Sequence, residues 1–282
     1  MKTAIIYTSR HETTEKVVQW RKLYDDERNK KTRLHHRHPI FERGSSRDCA
    51  AKVQKIIYIQ NMDRKSFEKT FSEKRMEKYF NRYADPEKAI LHYQCNIELS
   101  EAFYPCITTF EVALRNAVGR ELATLFGRED WYVLFTSVPG LTDLNKYITQ
   151  ANKQIAGRKE YTSHSKMVAE LTLGFWVSLF NVEYERILWK SLRKVFPNMP
   201  KTERQRKKVA PPLNRFRTLR NRIFHHEPIS WNLKKLRQIH AEMLSVMEWI
   251  NSDIPAWLIT FDRFDSVCNS VEQNLKIIGT GL

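Results

Sequence analysis

Arg217-Thr218-Leu219-Arg220-Asn221-Arg222-Ile223-Phe224-His225-His226-Glu227-Pro228 is the stretch from which the rest of this 282-residue chain can be read. Arg217, Asn221 and His225 recur every four residues, and a helix turns once in about 3.6, so the three form one stripe. Arg220 flanks that stripe, five residues before His225 and about 140° away around an ideal helix. Joint action of the two needs a long Arg reach, a distorted last turn or a second subunit. Pro228 disfavours helical geometry at Glu227, so the spacing predicts a helix whose final turn holds His225 and His226. The negative end of the helix dipole there favours a protonated imidazole.

Working outward, the apolar spacing is helical almost everywhere. From Ser66 on, Phe67, Phe71, Met76, Tyr79 and Phe80 follow three- and four-residue steps. Asp85-Pro86 is a helix start, an N-cap followed by proline at the first helical position. The next helix runs from about Tyr104 to Phe126 and stops at Gly127, and Thr142 can cap another through about Ile155. Met167 to Phe180 is apolar all round and predicts a core helix, with Gly174 marking close approach of a neighbour. Val182 to Phe196 is amphipathic and closed by Pro197. The motif helix is expected to start near Pro212, Leu233 to Ile250 follows, and a last helix spans about Ala256 to Ile278 with a bend near Asp262. Eight Gly and ten Pro in 282 residues also favour helices over strands and turns. The expected fold class is all-α, one helical bundle without solenoid repeats.

The net charge of +16 favours a polyanionic partner, nucleic acid before anionic membrane. Nine Lys or Arg and one Glu lie between Lys201 and Arg222, so half the excess sits on or just before the motif. Arg204, Arg206, Lys207, Lys208, Arg215 and Arg222 are the candidate RNA-binding cations; the competing reading is a solvated basic face. The four cysteines are far apart and lack C-x-x-C spacing, which argues against zinc and disulfides. No apolar run approaches the roughly 20 residues of a membrane span, so the expectation is a cytoplasmic protein with no membrane partner. On the Tyr104–Phe126 helix, Glu111 and Arg115 stand four apart in the favourable order for an intrahelical pair.

Residues 1–18 resemble the start of a flavodoxin, with Thr8, Ser9, Thr13 and Thr14 near the positions of its phosphate loop. Glu12 stands at the glycine position, and no strand-helix series follows, so no flavin cofactor is expected. His35-His36-Arg37-His38 is read as an exposed basic loop rather than a metal site. Residues 1–61 are expected to form an extension and 62–282 the helical domain.

An Arg followed at once by Asn and, five residues on, by His resembles the RNase motif of the higher-eukaryote-and-prokaryote nucleotide-binding (HEPN) superfamily. Here it is Arg220-Asn221-Arg222-Ile223-Phe224-His225. Tyr93 to Asn96, Phe110-Glu111-Val112-Ala113-Leu114-Arg115-Asn116, Leu173-Gly174-Phe175-Trp176-Val177 and Ile187-Leu188-Trp189 fall in the order of its Abi-like (abortive infection) branch. The resemblance covers roughly residues 63 to 275. It implies an all-α, dimeric, metal-independent RNase of phage defence or of a toxin–antitoxin system, with RNA as substrate, no cofactor, and an antitoxin or regulatory protein as a further partner.

The chemistry fits those residue types. RNA carries its own nucleophile, the 2′-OH, so an enzyme needs a proton carrier near neutrality and a cation for the extra charge on phosphorus. His225 supplies the first and Arg220 the second, with Asn221 orienting either one and Arg217, His226, Glu111, Arg115 and Asn116 in support. A His at a helix end also serves as a capping or packing residue. A non-catalytic RNA-binding module and a protein-interaction component of a defence locus therefore stay open beside the ribonuclease.

Overall fold

The structure, a computed structural model, describes residues 63–279. The flavodoxin-like segment, the His35–His38 cluster and the extension as a whole lie outside the described residues. Among those residues there is no β-strand, and the all-α expectation holds.

Two capped helices open the fold, α1 (Arg64–Phe71), with Asp63 accepting from the Ser66 amide, and α2 (Glu73–Arg82). Asp85 and Pro86 start α3 (Pro86–Ala102) as the sequence predicts. The helix at the centre is α4 (Tyr104–Phe126), which ends on Gly127 in the left-handed conformation, a φ of 65° that costs glycine nothing. Cys106, Ile107, Phe110, Leu114, Val118 and Leu122 are buried along it. α4 packs against α7 (Leu173–Ser178), α8 (Glu185–Leu192) and α10 (Leu233–Ile250). α5 (Asn145–Gly157) and α6 (His164–Glu170) close one side, and α11 (Asp253–Leu258) and α12 (Phe264–Ile277) complete the chain, with α12 lying along α3. The motif helix α9 (Arg206–Phe224) rests on α10 and α7.

Four expectations need correction. Met167 to Phe180 is two helices, because Thr172 adopts extended geometry and caps α7 through the Phe175 amide. A Cβ on Gly174 would meet only the Thr172 hydroxyl, at 3.4 Å, so no neighbouring helix presses on it. The segment is core all the same: Phe175 and Trp176 pack with Trp131, Phe135 and Tyr147 in an aromatic cluster. The last predicted helix is also two, parted at 259–263, where buried Asp262 bonds His240 of α10 at 2.7 Å. The helix capped by Thr142 begins instead at Asn145, after a short 3₁₀ turn.

The fourth correction bears on the site. α9 starts at Arg206, not near Pro212, and holds Pro211 and Pro212 in its second turn. Proline there deprives the carbonyls of Lys207 and Lys208 of their donors, a loss tolerable because those residues lie exposed at the helix start. Burial of Val209, Ala210, Pro212 and Leu213 outweighs it.

Candidate functional site

The end of α9 departs from the prediction by two residues. The helix stops at Phe224, His225 is its cap, and His226 takes the left-handed conformation at φ 56°. The amide of His226 donates to Ile223 O at 3.0 Å and that of Glu227 to Arg222 O at 2.8 Å, the crossed pair of bonds that closes a Schellman turn. A histidine at the left-handed position is unusual where glycine is the common choice, and its neighbours hold it there.

Those neighbours come from distant sequence. Arg75 on α2 donates through Nη1 to the His226 carbonyl at 2.7 Å. Asn96 on α3, 3 % exposed, accepts through Oδ1 from the amides of Ile229 at 2.6 Å and Ser230 at 3.1 Å. Ser230 Oγ meets His92 Nε2 at 2.9 Å, and His92 Nδ1 meets the Tyr83 hydroxyl at 2.9 Å. Arg222 adds an ion pair to Glu227 at 3.3 Å and a hydrogen bond to the Pro228 carbonyl. The turn that displays both histidines is thus held at five consecutive residues, 226 to 230, by side chains of α2 and α3 and by Arg222 of α9 itself. The ties to α2 and α3 are not legible in the sequence. A signal existed: His92 and Asn96 stand four apart on the buried face of an apolar helix, where a polar side chain must have a partner.

His92 is fully buried, and burial of the ring, with Arg82 adding to it, lowers its pKa to about 4. The folded value therefore lies below the ordinary 6.5, so protons bind the unfolded chain first. Stability from this site is complete above pH 6.5 and falls as pH drops from 6.5 towards 4. The expected loss is at most about 3 kcal/mol. Urea unfolding midpoints at pH 7 and pH 5 should differ more in the parent than in His92→Gln; equal differences would remove His92 from the account.

Arg220 projects to another side. Its Nε lies 3.6 Å from Glu111 Oε2 on α4, and its guanidinium carbon lies 4.2 Å from the centroid of the Phe224 ring. At 3.6 Å the contact is an ion pair without a hydrogen bond, and the buried Nε has no hydrogen-bond partner among the described residues. Glu111 thus pairs across helices with Arg220, in place of the predicted pair with Arg115. Arg115 and Asn116 line a separate cleft of about 310 Å³ with Arg120 and His164, to which no residue of α9 contributes. Arg217 is half-buried, and Asn221, His225 and His226 are exposed.

The basic run is largely engaged in internal contacts. Arg204 donates to the carbonyls of Met199 and Pro197, and Arg206 to Glu185 and the Phe180 carbonyl. Lys208 pairs with Glu203, and Arg215 holds Glu242 by two nitrogens. Lys207 is exposed at the start of α9. Among the described residues no group of three or more His, Cys, Asp or Glu is arranged to hold a metal ion, and no helix is long and apolar enough to cross a membrane.

The family model described as Abi-like protein matches residues 53–232, more than half the chain and all of α9 with its closing turn. The chain belongs to the Abi-like family. No curated protein and no solved structure matches it. The match ends two residues after Ser230, so the matched range takes in the turn together with α2, α3 and α9.

Proposed function

We propose that this Abi-like protein is a metal-independent endoribonuclease of HEPN type, acting in abortive infection or as the toxin of a toxin–antitoxin pair. The observation that carries the reading is the end of α9. A solvent-facing imidazole at the His225 cap, on a turn held by Arg75, Asn96 and Arg222, stands five residues from an Arg whose Nε lacks a hydrogen-bond partner among the described residues. His225 moves the proton of the attacking 2′-OH or of the leaving oxygen. Arg220 neutralises the charge gathered on the phosphoryl oxygens, and its planar fork suits them better than an ammonium. Glu111 and Phe224 hold the guanidinium in a fixed place.

In one chain Arg220 turns to Glu111 while His225 turns to solvent. The reading therefore includes a homodimer in which two copies of the turn meet and each supplies part of one site. RNA is the substrate, Lys207 and Arg217, which form no ion pair among the described residues, contribute to its binding, and an antitoxin or regulator restrains the activity.

Purified protein incubated with RNA and with DNA of the same sequence, in EDTA, tests the proposal. RNA should be cut and DNA left intact. Loss of cutting in EDTA, or DNA cleavage at a comparable rate, would contradict it, since DNA lacks the nucleophile.

A further inference from the structure

The face of α9 turned away from Arg220 forms a groove of about 510 Å³ with α10 and α2. Arg222 in that groove stands about 200° around the helix from Arg220, so the groove and the proposed catalytic end are different places. Four cations from three helices line it: Lys78 of α2, Arg215 and Arg222 of α9, and Lys235 of α10. Among the described residues no Asp or Glu lines it. Arg215 and Arg222 have Glu242 and Glu227 as counter-ions, whereas Lys78 and Lys235 are exposed and form no ion pair among the described residues. The floor is apolar, with Pro211, Leu219, Ile229 and Leu236. Trp231 completes the wall; the Lys78 ammonium lies 4.9 Å from its ring centroid, and its indole Nε1 is buried with no hydrogen-bond partner among the described residues. A buried indole N–H ordinarily finds an acceptor.

We infer that this groove binds a nucleotide, the phosphate on Lys78 and Lys235 and the base on the apolar floor beside Trp231. A bare anion would use the cations and leave the floor idle; an apolar ligand would use the floor and leave the Lys78 and Lys235 ammoniums without a counter-ion. A nucleotide engages both, in the combination of cationic rim and aromatic or apolar platform by which proteins hold single nucleic-acid strands. The volume is within the ordinary range for small-ligand sites. The nucleotide is either one unit of an RNA strand passing behind α9 or a free mononucleotide; the chemistry of recognition is the same.

The inference is tested on the full chain carrying His225→Ala, so that cleavage does not enter the measurement. Binding of a fluorescent hexauridylate is followed by anisotropy across a salt series, with unlabelled ATP and AMP as competitors, before and after adding Lys78→Ala with Lys235→Ala. Both lysines are exposed, so an unchanged melting curve is expected of the variant. Affinity for the oligonucleotide should fall about tenfold, and the salt slope should shrink by about 1.4, two contacts of roughly 0.7 each. Competition by ATP or AMP that weakens in the same variant assigns the groove to free nucleotides as well; competition by the oligonucleotide alone assigns it to a strand. Unaltered oligonucleotide affinity and slope, together with unaltered competition, would overturn the inference. So would binding of an acidic peptide at the groove with no nucleotide binding. Because binding is read without turnover, failure of the ribonuclease reading leaves this result standing, and the reverse also holds.

Discussion

His225→Ala is expected to lower RNA cleavage by about 10²- to 10⁴-fold, the usual worth of a positioned proton carrier, and to leave the protein folded. The structural side of this expectation is specific. The imidazole of His225 is exposed, whereas its backbone amide makes the cap contact to Asn221 O at 2.9 Å. Alanine keeps that amide and loses only solvated ring atoms. Arg220→Ala should reduce cleavage comparably by removing the phosphate clamp, yet its signature differs. It leaves the Glu111 carboxylate without its cation and uncovers Phe224, so a lower melting temperature should accompany the lost activity. Arg220→Lys keeps the charge and loses the fork, and should recover only part of the rate. If His225→Ala cuts at the parent rate, the proton carrier is another group, and His226 on the same turn becomes the first to replace.

Asn96→Leu is expected to destabilise the protein by roughly 2–5 kcal/mol, since two buried amides lose their acceptor at about 1–3 kcal/mol each. Leucine fills a similar volume, which separates the hydrogen-bond effect from a cavity. The loss should spread along the turn: without Asn96 the amides of Ile229 and Ser230 are unpaired, and His226 must keep its left-handed backbone with Arg75 as its remaining tie to α2. Chemical denaturation measures the first effect and amide hydrogen exchange at residues 226–230 the second. A stability change below about 1 kcal/mol would mean that these amides find water and that the clamp contributes little.

The helix termini that sequence foretold are those fixed by local chemistry. Asp85-Pro86 caps itself through the Glu87 amide, and Gly127 supplies its own left-handed residue. Leu233 to Ile250 ends where predicted because its apolar period ends there. Thr172 was hidden because apolar residues flank it on both sides, and a single hydroxyl decides between one helix and two. Pro211 and Pro212 misled for the opposite reason, a strong local rule overridden by burial of the turn around them.

At the candidate site the same division applies. The spacing of Arg220, Asn221 and His225 is visible in twelve residues of sequence. What surrounds it is not: the contacts that hold the turn join residues 151, 133 and 138 positions apart, and the Arg220–Glu111 pair crosses from α9 to α4. Charge counting met the same limit. Arg204 and Arg206 look like free cations in sequence, and in the fold their guanidiniums bind carbonyls and Glu185.

One measurement bears on the central claim more directly than any rate. An oligonucleotide of 2′-O-methyl residues with a single unmodified ribonucleotide, incubated in EDTA and analysed by mass spectrometry, offers one nucleophile and one possible cut. The account predicts scission only on the 3′ side of that ribonucleotide, a 2′,3′-cyclic phosphate or its hydrolysis product on the new end, and an intact strand with His225→Ala. Scission between methylated residues, or a 3′-hydroxyl in place of the phosphate on the ribonucleotide at the cut, would contradict it.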